Sequence, residues 1–230
     1  MFLRKMLFIM LAFITVISLA ACSDDDNTTA PTPTPKANVL VVHASPDAPG
    51  VDLLVDNAVA GTNLTFPNNT GYLQVNAGTR NVKVNVTGTS TTVIQANLNL
   101  AENKNYTVFA VNQVSAIEPL VFEDNLTTPA SGKAHVRFIH LSPNAPAVNI
   151  TLTDGTIVFG NVPFKGSVDF TPLNAATYNL QVRDAATNQT VVLELPNITL
   201  QTGKVYTVFA KGLLGGSGNQ ALGAQIIVNK

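Results

Sequence analysis

Val82, Val84 and Val86 alternate with Lys83 and Asn85, a period of two that buries one face of a strand and wets the other. Leu180 and Val182 alternate with Gln181 and Arg183 in the same manner farther along. Elsewhere the apolar residues fall in short runs. Residues 39–42, 51–55, 93–100, 106–111 and 117–122 form one set with 82–86. Residues 136–141, 148–152, 191–200, 206–210 and 224–228 form a second set with 180–183. No window carries a helical period. Roughly seven short strands per set, separated by Asn, Gly and Pro, predict an all-β chain of two tandem immunoglobulin-like β-sandwiches.

The two sets are copies. His43-Ala44-Ser45-Pro46-Asp47-Ala48-Pro49 returns as His140-Leu141-Ser142-Pro143-Asn144-Ala145-Pro146, and Tyr106-Thr107-Val108-Phe109-Ala110 returns as Tyr206-Thr207-Val208-Phe209-Ala210. The offset is 97 at the histidines and 100 at the tyrosines, so the additions in the second copy enter through loops. Repeat 1 is read as 37–124, a Pro129-containing linker as 125–131, and repeat 2 as 132–230. So short a linker holds the domains in contact or in few orientations.

These two motifs, Val51-Asp52 and the Tyr-Thr-Val-Phe-Ala strands resemble the bacterial DUF4397 family, a domain of unknown function, across both repeats. The resemblance implies a secreted or lipoprotein module, often in tandem. It brings no activity, substrate or catalytic residue. Repeat 2 departs from the pattern, with Asn144 and Asn149 where Asp47 and Asp52 stand.

Duplication first suggests a part of the fold. Leu200, Gly203 and Tyr206 have the spacing of a tyrosine corner, and Leu100, Asn103 and Tyr106 match it. Tyr106 and Tyr206 are therefore assigned to structure. In the His-x-Ser-Pro motif, Pro46, Pro49, Pro143 and Pro146 end one strand and shape the crossing to the next, since proline cannot donate to a ladder. Ser45 and Ser142 are expected to bond local backbone. His43 and His140 are expected to pack at the sandwich end. The competing reading is a hydrolase using a His/Ser pair. A triad needs its acid on the far side of the imidazole from the serine, and neighbours on one strand rarely achieve that. No catalytic residue is assigned. No metal site or cofactor is assigned either: the three histidines, His43, His135 and His140, do not form a ligand spacing.

The largest difference between copies is the glycine-rich stretch 212–219. No Lys-Ser or Lys-Thr follows it, so it is no phosphate loop. It reads as a long mobile hairpin, with Leu213 and Leu214 as candidate ligand-binding residues. A glycan-capture lipoprotein is a further alternative. The absence of Trp and the presence of only four Tyr weigh against ring stacking.

The N-terminus is an address. Arg4 and Lys5 precede an apolar stretch from Met6 to Ser18, and Leu19-Ala20-Ala21-Cys22 looks like a lipobox. Residues 1–21 are read as a signal peptide, Cys22 as the lipidated residue, and 22–36 as a Pro/Thr-rich tether. The acidic Ser23-Asp24-Asp25-Asp26 resembles a surface-export signal, favouring the outside of an outer membrane over its periplasmic side. Losing Arg4 and Lys5 leaves 11 of 13 basic residues against 14 acidic ones, a net charge of −3. That balance excludes a nucleic-acid partner. The expected partners are the membrane, through the anchor, and an extracellular protein or glycan. The expected role is non-catalytic binding, adhesion or scaffolding.

Overall fold

The computed structural model describes residues 33–230. The signal peptide, Cys22 and most of the tether lie outside the described residues. Thr34–Lys230 forms one compact unit.

Repeat 1 has eight strands: β1 (Lys36–His43), β2 (Val51–Val55), β3 (Ala58–Leu64), β4 (Asn69–Asn76), β5 (Gly78–Val86), β6 (Thr92–Leu100), β7 (Asn105–Val111) and β8 (Glu118–Glu123). Repeat 2 repeats the order as β9 (Lys133–His140), β10 (Val148–Leu152), β11 (Ile157–Val162), β12 (Ser167–Asn174), β13 (Thr177–Asp184), β14 (Val191–Thr199), β15 (Val205–Lys211) and β16 (Gly223–Val228). Each repeat is a two-sheet sandwich. The sheets run β4-β1-β7-β8 and β3-β2-β5-β6 in the first, and β12-β9-β15-β16 and β11-β10-β13-β14 in the second. The architecture is the expected sandwich, with its own strand order: β1 lies parallel to β7, and β9 parallel to β15. Lys36 already belongs to β1, so the folded part begins one residue inside the stretch read as tether.

The strands β3, β4, β11 and β12 were not among the apolar runs. β3 and β4 are edge strands, and few of their side chains are buried, so Asn, Thr and Gly replace the apolar alternation that marks a strand.

The unbroken apolar runs have a physical cause. Along β1 and β9, successive side chains are buried with no alternation, so both faces of these strands are covered. Val39 and Val41 point into the repeat 1 sandwich with Val108 and Ala110. Val136 and Phe138 point into the repeat 2 sandwich with Val208 and Ala210. The opposite faces meet each other: Leu40, Val42, Phe109 and Val111 of repeat 1 pack with Ile139, Leu141, Phe209 and Ile227 of repeat 2. Phe109 and Phe209, equivalent residues, stand edge to face with centroids 5.5 Å apart. The molecule is thus four stacked β layers, with three apolar cores between them. The outer layers keep the alternation that β5 and β13 show.

A polar cluster crosses the central core. Arg137 of β9 is 1% exposed, and its Nη1 lies 2.7 Å from Oδ1 of the buried Asp124, just past β8. The Asp124 Oδ2 accepts from the Tyr72 hydroxyl and from Thr107 Oγ1, each at 2.6 Å. Nε and Nη2 of Arg137 donate to Thr207 Oγ1 at 3.3 and 2.9 Å. Thr207 donates to Asn229 Oδ1 at 2.8 Å, and Asn229 Nδ2 donates to Tyr72 Oη at 3.0 Å, closing the circuit. The guanidinium sits 5.2 Å from the ring centroid of Phe122 and 4.5 Å from that of Phe170. Burial, and then the charge of Asp124, push the Tyr72 phenol well above its ordinary value, so it stays a donor.

Candidate functional site

Strand register places the loops. Val51 pairs with both Leu64 and Val86, Val42 with Asn69, and His43 with Ala110. The connections β1–β2, β3–β4, β5–β6 and β7–β8 therefore gather at one end of repeat 1, opposite Lys36. The equivalent pairs Val148–Val162, Val148–Asp184, Ser167–Ile139 and His140–Ala210 do the same in repeat 2. Contacts between repeats show that the two loop ends face the same way. Lys165 Nζ of the β11–β12 turn lies 2.9 Å from Glu118 Oε1, and Lys211 Nζ lies 5.4 Å from the Phe66 ring centroid. Burial holds the Lys211 amine below its usual value. At the opposite end Lys230 Nζ ties the C-terminus to the linker, donating to Leu126 O at 2.9 Å and Thr128 Oγ1 at 2.8 Å.

Both His-to-Pro segments are chain corners between the two sheets of a sandwich. His43 Nε2 donates to the Pro49 carbonyl at 3.0 Å, and His140 Nε2 to that of Pro146 at 2.9 Å, clasping each loop shut. A carbonyl can only accept, so the proton is on Nε2. The Ser142 N–H then donates to His140 Nδ1 at 3.3 Å. Each imidazole also meets a phenylalanine edge to face, His43 with Phe66 at 6.3 Å and His140 with Phe164 at 6.5 Å. Pro46 and Pro143 start the tight turns that follow.

The serines differ from expectation. Ser45 and Ser142 are fully buried, and among the described residues neither hydroxyl has a hydrogen-bond partner. Each leads into a proline without an N–H and fills the corner as a small side chain. Neither hydroxyl reaches its histidine, so neither corner pairs a nucleophile with a base. Among the described residues no three His, Cys, Asp or Glu side chains converge as a metal site.

Burial holds both imidazoles below their ordinary pKa of 6.5. Below about pH 6.5 the unfolded chain takes up protons that the folded one refuses, so stability falls as pH drops from there toward the folded pKa values. Urea midpoints at pH 7.5 and 5.5 are expected to show this loss. A His43→Gln, His140→Gln variant is expected to show a flatter pH profile.

The exchange of Asp47 for Asn144 has a structural explanation. Asp47 Oδ1 accepts the Val114 N–H at 2.8 Å, and Asn144 Oδ1 accepts the Leu214 N–H at 2.8 Å. Asn144 Nδ2 also donates to the Leu214 carbonyl at 3.0 Å. Asp52 and Asn149 are likewise equivalent: each accepts the N–H of a left-handed asparagine in the next strand, Asn63 (φ 49°) or Asn161 (φ 52°). The Asn63 N–H is the main reason the Asp52 carboxyl titrates below its ordinary value. None of these roles needs a charge. Asp47→Asn is expected to change stability by less than about 0.5 kcal/mol, and Asp47→Ala to cost about 1 kcal/mol, read from urea midpoints.

Tyr106 and Tyr206 hydroxyls accept the N–H groups of Ala101 and Gln201, each at 3.1 Å, across turns with Asn103 (φ 60°) and Gly203 (φ 78°). The loop holding Leu213 and Leu214 is not a free hairpin. Leu213 N–H donates to Gln220 O at 2.8 Å, and Leu213 bridges Ala221. Gly212 has φ 80°, and a Cβ there would strike the Ala221 carbonyl. Leu213 is half-buried, whereas Leu214 is 42% exposed; its counterpart Val114 is 39% exposed. The duplicated corner thus grips, in each repeat, a loop that presents one apolar side chain to solvent.

The DUF4397 family model, a domain of unknown function, matches residues 37–151 and 150–230. The chain belongs to this family. As a DUF4397 protein it carries two family matches in tandem, the first covering sandwich 1 and running on through β9 into β10, the second covering the rest of sandwich 2. No curated protein matches it. Among solved structures it is similar to the C-terminal domain of AlgF from P. aeruginosa, at 26% identity over 42% of this chain and 98% of that one, with a TM-score of 0.32. It is also similar to CBMbc, a family CBM26 protein from Eubacterium rectale Amy13K solved with maltoheptaose, at 10% identity over 84% and 96%, with a TM-score of 0.25.

The residues that the sequence reading missed are Arg137, Asp124, Tyr72, Thr107, Thr207 and Asn229. One signal was available: Arg137 is a lone charge in an apolar run where repeat 1 has Leu40.

Proposed function

We propose that this DUF4397 protein is a lipid-anchored, non-catalytic binding or adhesion module of the cell envelope, displayed on the outer surface. It meets an extracellular protein or glycan through its joined loop ends. The observation that supports this most is polarity: all eight loops of that end, with Val114 and Leu214, lie opposite Lys36, where the chain from Cys22 arrives. β1 spans roughly 26 Å at about 3.3 Å per residue, enough to raise the loop face clear of its base. The duplicated histidines are engaged with backbone carbonyls, which fits a fold role better than turnover.

The test is protease treatment of intact cells with detection of the loop face. Loss of the Val114 and Leu214 loops from whole cells is expected, with release of the protein from membranes by Cys22→Ala. Protection of both loops in intact cells would overturn surface display. Retention of Cys22→Ala in the membrane would overturn the anchor.

A further inference from the structure

The cores of the two repeats are filled to different degrees. Repeat 2 encloses a cavity of about 110 Å³ between its sheets, lined by apolar side chains that include Val136, Phe138, Tyr178, Leu180, Leu195 and Ile198. Spaces in the matching core of repeat 1 measure about 20 and 10 Å³.

The difference has a local cause in β14. In repeat 1, β6 pairs with β5 without a break from Gly78–Leu100 to Val84–Ile94. In repeat 2 the register slips between Tyr178–Ile198 and Leu180–Leu195, so three steps along β14 oppose two along β13. The extra residue falls at Pro196-Asn197. Proline cannot donate to the ladder, and Asn197 is left-handed at φ 58°, its N–H held by Asn179 Oδ1 at 2.9 Å. This bulge bends the edge strand where it roofs the cavity. The cavity lies toward the end away from the histidine corners, since Tyr178 is near the start of β13 and Leu152 closes β10. At that end Ile157 is 53% exposed beside the lining residue Val158, and the Tyr178 hydroxyl donates to the Asn174 carbonyl at 3.0 Å. Tyr178 lines the cavity and is itself only half-buried, so the lining reaches the surface at this ring.

We infer that this cavity is a binding site for a compact hydrocarbon group, the size of a benzene ring or the last few carbons of an alkyl chain. An apolar space of this order stays dry and accepts such groups, a cavity of about 150 Å³ taking benzene. Its lining offers a polar ligand no partner, so the site selects for apolar character and size. The site belongs to repeat 2 alone.

The experiment is a titration of the intact methyl-labelled protein, followed by NMR. Benzene is the probe for a free small molecule, and octyl glucoside below its micelle concentration is the probe for an alkyl end. Saturable shifts of the Leu180, Leu195 and Ile198 methyl groups are expected with at least one probe, while Val82 and Leu98 of repeat 1 stay in place. Leu195→Phe, which fills the space, is expected to weaken binding by roughly tenfold or more. Should that variant fail to fold, Leu195→Ala enlarges the space, and the same methyl shifts must then persist at Leu180 and Ile198. No saturable shift with either probe overturns the site, as do equal shifts in both repeats.

Discussion

Asp124→Ala is expected to destabilise the protein by about 3–5 kcal/mol, because it leaves the Arg137 guanidinium buried without its counter-charge. Thermal unfolding should report a drop on the order of 10 °C, at roughly 2–4 °C per kcal/mol for a chain of this size. The partner variant Arg137→Leu strands a buried carboxylate and should cost a similar amount. The two together should recover most of the loss. Repeat 1 shows why. Its Leu40 occupies the place of Arg137, pairing with Thr107 as Arg137 pairs with Thr207. Asn229 likewise stands one residue past β16, as Asp124 does past β8. The pseudo-twofold interface thus carries one ion pair, its acid supplied by repeat 1 and its base by repeat 2, while the equivalent positions Asn229 and Leu40 are uncharged. Two copies of repeat 1 facing each other would bury two carboxylates and no guanidinium. A full double-mutant cycle by thermal melting checks the coupling, and additive losses would contradict it.

Phe209→Ala is the second large effect, expected to cost about 3–5 kcal/mol by emptying the central core. Phe209 is fully buried and meets Phe109 across the interface. Because the two rings share one core, the loss should fall on both repeats. Urea unfolding followed by amide signals from β2 and from β10 should move to lower midpoints together. A shift confined to β10 would show that the repeats stand independently.

Much of this architecture was readable in the residues. The alternation at Val82–Lys83–Val84 belongs to an outer strand with one wet face. The unbroken Val39-Leu40-Val41-Val42 belongs to a strand covered on both sides. That contrast is a physical signature of a layer between two cores, and it was legible as a pattern before its cause was known. The edge strand β3 was hidden because most of its side chains face water, and burial is what writes apolar residues into a strand; β11 does bury Phe159 and Val162, but in too short a run to mark a strand by period. The corner motif was legible as a duplicated segment, but its partners were not. That Asp47 and Asn144 hold the backbone of Val114 and Leu214 depends on a contact between residues far apart in the chain. Hydrogen bonds of that kind leave no periodicity. The pairing of Arg137 with Asp124 left a fainter trace, one arginine in an apolar run.

The four-layer body is tested most directly by scanning calorimetry of the intact protein at neutral pH. One transition with equal calorimetric and van't Hoff enthalpies is expected, since the central core and its buried ion pair join both sandwiches into one cooperative unit. Two separable transitions, each carrying the enthalpy of one repeat, would contradict it.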